Sequence, residues 1–131
     1  MVFAPSEIAY LAGQRLGRLA TVQEDGTLQV SPVGFSYNPD TGTIDIRGYN
    51  LAQSQKYRNI GHNGRAAFVV DDVPSVDPWR VRCVEIRGVA EAIDEQGSPL
   101  IRIHPKRIIS FGIDEPDTEA HQLTANRRNV T

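Results

Sequence analysis

Between Gly17 and Tyr49 the chain carries three short apolar runs separated by two strong turn signals, and this succession limits the fold more than anything else in it. Leu19-Ala20-Thr21-Val22 is the first run. Asp25-Gly26 follows, a hairpin signal because both turn positions are expected at positive φ. The second run extends from about Thr27 to Tyr37 and contains Pro32, which cannot donate to a ladder, so a bulge or a sheet edge is expected there. Asn38-Pro39-Asp40-Thr41-Gly42 is the second turn. The third run, Thr43 to Gly48, alternates: Ile44, Ile46 and Gly48 share one face, while Asp45, Arg47 and Tyr49 share the other. Tight turns join antiparallel neighbours, whereas parallel strands need long crossovers. The pattern therefore points to an antiparallel barrel rather than a parallel α/β sheet.

The remaining segments extend this reading. Pro5-Ser6-Glu7 precedes Ile8, Leu11 and Ala12, so Ser6 is expected to cap a short helix that Gly13 or Gly17 ends. Asn50 and Gln53 have the spacing of a capping box, which places a helix from Leu51 to about Gly61. Ala66 to Val70 has no alternation and reads as a strand buried on both faces. "DDVPSVDPW" is expected as a loop. In Arg82 to Ala92, Val84, Ile86, Gly88, Ala90 and Ala92 form an apolar row opposite Glu85, Arg87 and Glu91. "LIRIHPKRIISFGI" is a last strand, interrupted at Pro105. The total is about six strands with two or three short helices. One mainly β domain over residues 1–113 is expected, followed by a loose polar tail over 114–131.

Several function classes are excluded. A net charge of −2 over 131 residues gives no global footprint for nucleic acid or an anionic membrane. No stretch approaches the roughly 20 apolar residues of a membrane span. "MVFAPSEIAYLAGQRLG" has neither the basic nor the apolar region of a signal peptide, and Cys83 is the only cysteine. The expected compartment is therefore the reducing cytoplasm. His62, His104 and His121 lie far apart without ligand spacing, so no metal site is expected. There is no nucleophile elbow, Walker loop or dinucleotide-binding glycine motif. Cys83 reads as a small buried hydrophobe. Asp71-Asp72 and Glu24-Asp25 read as solvated strand ends.

Three stretches could carry chemistry. The helix expected after Asn50 would present unpaired N–H groups and a partial positive charge, the makings of an anion site. It carries Ser54, Lys56, Arg58 and Asn59, with Arg47 and Gly48 just before it. An ordinary solvated helix would look the same. In "SPVGFSY", Ser31, Pro32, Val33 and Gly34 break a strand with small residues and would let a planar ring approach the backbone, unless they simply mark a bulge. Trp79, the only tryptophan, lies between prolines and arginines. It could stack on a ring, form a dimer contact or cover a barrel end.

"GRLATVQEDGTLQVSPVGFSYNPDTGTIDI" followed by "SQKYRNIGHNGRAAFVVDD" resembles the flavin- and deazaflavin-dependent split β-barrel superfamily, whose namesake is pyridoxamine 5'-phosphate oxidase. "DPWRVRCVEIRGVAEA" and "IRIHPKRIISFGI" are similar to an actinobacterial subgroup usually assigned to coenzyme F420, with members in tetracycline-type polyketide pathways. The resemblance covers about Pro5 to Ile113. It implies a six-stranded antiparallel split β-barrel that forms a homodimer with a cofactor at each interface. It also implies a phosphate held by Ser54, Lys56 and Asn59 and flanked by Arg47 and Gly48, with a ring along Ser31 to Gly34. The activity implied is hydride transfer from F420H2 to an unsaturated small-molecule substrate, with Tyr37, Tyr49, Tyr57 or water as proton donor. FMN is the alternative cofactor. A non-catalytic flavin, haem or tetrapyrrole binder on the same fold is the rival from another class, and a structural dimer without cofactor is a third. The polar C-terminal segment lacks the substrate-binding residues of the oxidase proper, so oxidation of vitamin B6 is not expected.

Overall fold

A computed structural model of the chain describes residues 2–131. Helix α1 (Pro5–Ala12) precedes strands β1 (Leu16–Val22), β2 (Leu28–Gly34), β3 (Ser36–Asn38) and β4 (Thr43–Ile46). A 3-10 turn (Leu51–Gln53) leads into helix α2 (Gln55–His62). Strands β5 (Arg65–Ser75), β6 (Arg80–Glu95) and β7 (Ser98–Phe111) follow, and after a second 3-10 turn (Ala120–Gln122) comes β8 (Asn126–Asn129). The strands form one eight-stranded sheet in the order β2-β1-β5-β6-β7-β4-β3, with β8 on the second side of β7. Every pairing is antiparallel. The two ends of this order, β2 and β3, are consecutive in the chain with only Phe35 between them. The sheet therefore curls into a split barrel whose edges are joined through the chain and not by a ladder.

The antiparallel barrel expected from the turns is the observed architecture, with differences that have local causes. The first hairpin closes over Gln23–Gly26 with only Gly26 at positive φ (87°). Asp25 Oδ1 accepts the Thr27 N–H at 3.0 Å instead of occupying the left-handed region itself. The expected second strand is two, because the chain turns a corner at Gly34-Phe35. Strand β5 runs on through the expected proline loop, so β5 and β6 form one long hairpin. The interruption in the last strand falls where expected, as a register shift opposite Arg87 and Gly88 beside Pro105.

The alternating rows build the core. Val84, Ile86 and Ala90 are buried, as are Leu19, Ile44, Phe68, Ile103 and Ile108. Strand β5 departs from the expected two-sided burial. Phe68 and Val70 point inward, while Ala67 and Val69 lie half-buried on the outer face. Asp45 departs the other way and is only 6 % exposed. Arg102, opposite it on β7, donates Nε and Nη2 bonds of 3.0 and 3.0 Å to its carboxylate. Asn38 and Thr43 satisfy the remaining lone pairs at 3.0 and 2.9 Å. A buried charge is tolerable only when paired and bonded in this way.

Part of the expected loose tail, Asn126–Asn129, is instead a strand of the sheet. β8 pairs with β7 from Ser110↔Asn126 to Arg107↔Asn129, and Arg128 reaches across to Glu7 on α1. Residues 114–131 are thus not a separate tail, and the boundary at 113 does not divide the sheet. Helix α1 begins two residues earlier than expected. Ala4 is the cap residue, and Glu7 Oε1 accepts its N–H at 2.8 Å, so Ser6 is not the cap. The same helix is clamped to β5 and β6: the Tyr10 hydroxyl donates to Asp72 Oδ1 at 2.7 Å, and Arg82 Nε donates to the same oxygen at 2.9 Å. Burial pushes the Tyr10 hydroxyl pKa well up, and the Asp72 carboxylate adds to that. Tyr10→Phe, which keeps the ring and removes the bond, is expected to cost about 1 kcal/mol in urea unfolding.

Candidate functional site

The expected anion-binding helix exists but starts later than its sequence suggests. Asn50 has φ 56°, which opens a 3-10 turn, and makes no side-chain cap. Ser54 is the true N-cap of α2: its Oγ accepts the Tyr57 N–H at 3.2 Å and donates to the Leu51 carbonyl at 2.6 Å. Lys56 is therefore the second helical residue, among N–H groups that have no intrahelical acceptor. Among the described residues Lys56 has no hydrogen-bond or ion-pair partner. Arg58 is engaged locally, donating to the Gln53 carbonyl at 2.7 Å and Gln55 Oε1 at 2.9 Å.

Asn59 turns inward and is 2 % exposed. Its amide donates to Thr21 Oγ1 at 3.0 Å and Gln29 Oε1 at 3.1 Å, and its oxygen accepts from Gln55 Nε2 at 2.7 Å. It thus fastens α2 to β1 and β2 and does not face outward beside Lys56. The Tyr57 hydroxyl, donating to the Ile93 carbonyl at 3.0 Å, fastens the same helix to β6. Asn59→Ala would strand three polar groups, and a loss of about 1–3 kcal/mol is expected in thermal or urea unfolding.

β2 is an edge strand bonded only to β1. Gln29, Ser31 and Val33 lie on its inner face, with Val33 at 6 % exposure, while Pro32 and Gly34 are exposed on its outer face. Pro32 sits where a missing N–H is tolerated, on an edge. Nothing lies within 4 Å of a Cβ built on Gly34. The Ser31 hydroxyl is buried without a partner, an exception to the rule that buried polar atoms are bonded. The structure thus places α2 against the strand expected to carry a ring, through the Asn59–Gln29 bond. Gln29 and Thr21 were not singled out in the sequence, since a lone polar residue within a strand gives no signal of its partner.

Two expected site residues lie elsewhere. Arg47, just past β4, donates to Ser98 Oγ at 2.9 Å and Glu95 Oε1 at 3.1 Å, so its charge is paired across the β6–β7 turn. Gly48 beside it is open, with only Leu51 Cδ1 at 3.9 Å from a built Cβ. Trp79 stands at the tip of the β5–β6 hairpin, 52 % exposed. Of the tyrosines, Tyr49 is 98 % exposed just before the 3-10 turn. On the outer face a groove of about 380 Å³ runs past Ala20, Val22, Leu28 and Ala67 to Arg65 and Arg87.

The residues present suit a phosphate-bearing cofactor with a polar ring edge. They offer an unpartnered cation at a helix start, an orphaned buried hydroxyl and an open strand edge.

Comparison with known proteins agrees with this architecture. The family model described as pyridoxamine 5'-phosphate oxidase matches residues 6–128. A 5a,11a-dehydrotetracycline/5a,11a-dehydrooxytetracycline reductase from Streptomyces rimosus is 45 % identical over 122 residues, covering 87 % of this chain and 86 % of that protein. A conserved hypothetical protein from Mycobacterium tuberculosis superposes with a TM-score of 0.67 at 24 % identity, over 82 % of this chain and 84 % of the other. An FAD-binding protein from Mycobacterium smegmatis superposes with a TM-score of 0.62 at 18 % identity, over 98 % of each chain. A haem-binding protein from the same organism gives 0.69 at 18 % identity, over 95 % of this chain and 58 % of the other. These three structural likenesses establish the fold.

Proposed function

Because this chain belongs to the pyridoxamine 5'-phosphate oxidase family of split β-barrels, we propose that it is an oxidoreductase that reduces an unsaturated organic molecule with coenzyme F420. The observation that carries this reading is the partnerless Lys56 in the first turn of α2, a helix bonded to the open edge strand β2. The dehydrotetracycline reductase relative supports the reaction class. When bound, the reduced deazaflavin supplies a hydride from C5 to an electron-poor double bond.

In this reading the protein binds and orients. Lys56 and the first free N–H groups of α2 hold a phosphate, where a point charge and a helix start act together. Ser54 fixes where that helix begins, and Asn59 holds it against β1 and β2. The ring lies along Ser31 to Gly34, where the unpaired edge of β2 offers backbone groups and the Ser31 hydroxyl finds a partner. Gly34 leaves room beside it. Tyr49, exposed ahead of α2, would be the tyrosine free to deliver a proton to substrate, whereas the Tyr57 hydroxyl is engaged by Ile93.

A homodimer with the cofactor at its interface belongs to the same reading. Leu16, Leu28 and Val30 stand 58 %, 75 % and 68 % exposed on the outer faces of β1 and β2. Side chains of this kind cluster where a second surface covers them. No helix among the described residues is long and apolar enough to cross a membrane.

The test is a fluorescence titration of the cofactor-free protein with coenzyme F420 and, separately, with FMN. Tighter binding of the deazaflavin supports the reductase; preference for FMN moves the chemistry to a flavin; binding of neither overturns the reading. Lys56→Ala is expected to weaken binding by about 1–3 kcal/mol. An unchanged affinity removes Lys56 from the site.

A further inference from the structure

Helix α2 and strand β2 carry the two halves of the proposed site, and a chain of side-chain hydrogen bonds runs between them. The Arg58 guanidinium donates to the Gln53 carbonyl at 2.7 Å and to Gln55 Oε1 at 2.9 Å. Gln55 Nε2 donates to Asn59 Oδ1 at 2.7 Å. Asn59 Nδ2 donates to Thr21 Oγ1 on β1 at 3.0 Å and to Gln29 Oε1 on β2 at 3.1 Å. Arg58 sets the direction of this chain. A guanidinium can only donate, so Gln55 turns its oxygen to Arg58 and its NH2 group to Asn59. Asn59 then has its own NH2 group left, and it spends that group on the two strands. An inverted Asn59 amide would set NH2 against NH2 at Gln55, in a side chain only 2 % exposed.

The two strand bonds have different consequences. β1 is laddered on both sides, to β2 and β5, so Thr21 attaches the helix to a strand that is already fixed. β2 is laddered on one side only. Among the hydrogen bonds of the described residues, Asn59–Gln29 is the one that joins α2 directly to β2. Gln29 shares the inner face of β2 with the orphaned Ser31 hydroxyl, two residues or about 7 Å along the strand. Lys56 lies about one turn before Asn59 in α2. The bond thus stands between the unpartnered cation and the strand edge assigned to the ring.

A fixed spacing matters to a ligand that carries a ring and a phosphate in one molecule. Once one end is bound, the other binds as an intramolecular event. The gain is about 10²–10⁴ when the span between the two contacts is matched, and it vanishes when it is not.

We propose that Gln29 is a positioning residue of the cofactor site. Acting through Asn59, it holds the cation at the start of α2 at a set distance from the edge of β2, so that phosphate and ring bind as one matched pair. This rests on the cofactor reading of the site.

The test is a titration of the cofactor-free protein with a phosphorylated ring and with the same ring lacking its phosphate. The pairs are coenzyme F420 against its phosphate-free deazaflavin nucleoside, and FMN against riboflavin. The quantity read is the ratio of affinities within a pair. Wild type should favour the phosphorylated member by about 100-fold or more. Gln29→Met should lower that ratio at least about 10-fold, while the phosphate-free ring binds within about 2-fold of wild type. Gln55→Met, at an exposed helix position, cuts the same chain away from the strand and should lower the ratio in the same direction. Thr21→Val removes the other contact of the Asn59 amide and should lower the melting temperature without lowering the ratio. In a Lys56→Ala background, Gln29→Met should cost little more, because no cation is left to be spaced.

An unchanged ratio in Gln29→Met, an equal fall in Thr21→Val, or a full further loss in the Lys56→Ala background overturns the proposal. A wild type indifferent to the phosphate keeps the ring site and overturns the spacing. A wild type that binds neither pair overturns the cofactor reading together with it. Preference for the FMN pair overturns only the deazaflavin part of that reading, and the FMN-to-riboflavin ratio then decides the role of Gln29.

Discussion

Arg128→Ala is expected to lower the free energy of unfolding by about 3 kcal/mol, measured by urea denaturation. Glu7 is only 2 % exposed. Its carboxylate accepts two bonds from the Arg128 guanidinium, one from Ser110 Oγ at 2.7 Å and one from the Ala4 N–H at 2.8 Å. Removing the guanidinium leaves a buried charge with neutral donors alone. The effect lies at the low end for a broken buried pair because the Arg128 side chain keeps 30 % of its surface in water. The double variant Glu7→Gln with Arg128→Met should lose less than Arg128→Ala alone, since no charge is then stranded. Equal losses would refute the charge argument and leave only packing.

The same pair sets an acid dependence. Burial pushes the Glu7 carboxyl up, but the bonds from Arg128, Ser110 and Ala4 outweigh it and hold the group below the usual carboxylate range. Asp45 behaves alike, with burial outweighed by Arg102, Asn38 and Thr43; Asp72 is held low chiefly by Arg82. A carboxyl depressed in the folded state binds fewer protons there than in the unfolded chain. Its stabilisation is therefore present above the ordinary carboxylate pKa and is lost as pH falls through the depressed value. In Arg128→Ala only the Ser110 and Ala4 bonds still oppose the burial of Glu7, so the acid unfolding midpoint should move to higher pH.

Phe68→Ala is expected to cost about 3–5 kcal/mol. Phe68 is 1 % exposed at the centre of β5, between Leu19 on β1 and Ile86 on β6. Its ring meets Phe35 edge-on, with centroids 5.3 Å apart and planes at 71°. Opposite it lies Gly17, where a built Cβ would stand 2.1 Å from Phe68 Cζ. The ring thus fills a space that requires a glycine, and truncation leaves a cavity there. Gly17→Ala should itself destabilise strongly in wild type and much less in a Phe68→Leu background, because the clash is with the far end of the ring. Additive losses would show that the two positions do not share this space.

Much of the barrel was legible from particular residues. Gly26 and Gly42 sit at positive φ, and Pro32 lies on an edge strand where its missing donor does no harm. Val84, Ile86 and Ala90 face the core while Arg87 and Glu91 face water. Helix starts were less legible. Asn50 and Ser54 both have cap chemistry, and only the 3-10 turn between them decides that Ser54 holds the Tyr57 N–H. Of the candidate site, the segment carrying Lys56 and the strand carrying Ser31 to Gly34 could be named in advance. The Asn59–Gln29 bond that joins them could not, because it links positions far apart in sequence.

Taken alone, the sequence determined the alternation of strands and turns, an antiparallel curled sheet and its apolar rows. These follow from backbone geometry and side-chain period, which act between near neighbours. Only the tertiary structure decided which polar residues are buried: Asp45 against Arg102, Glu7 against Arg128 and Asn59 against Thr21. It also decided that part of the polar C-terminal segment is a strand and that Trp79 stands at the tip of the β5–β6 hairpin. The physical reason is the same in each case. A charge or amide leaves water only when partners from distant strands meet its bonding needs, and pairing over such separations leaves no local periodicity in the chain.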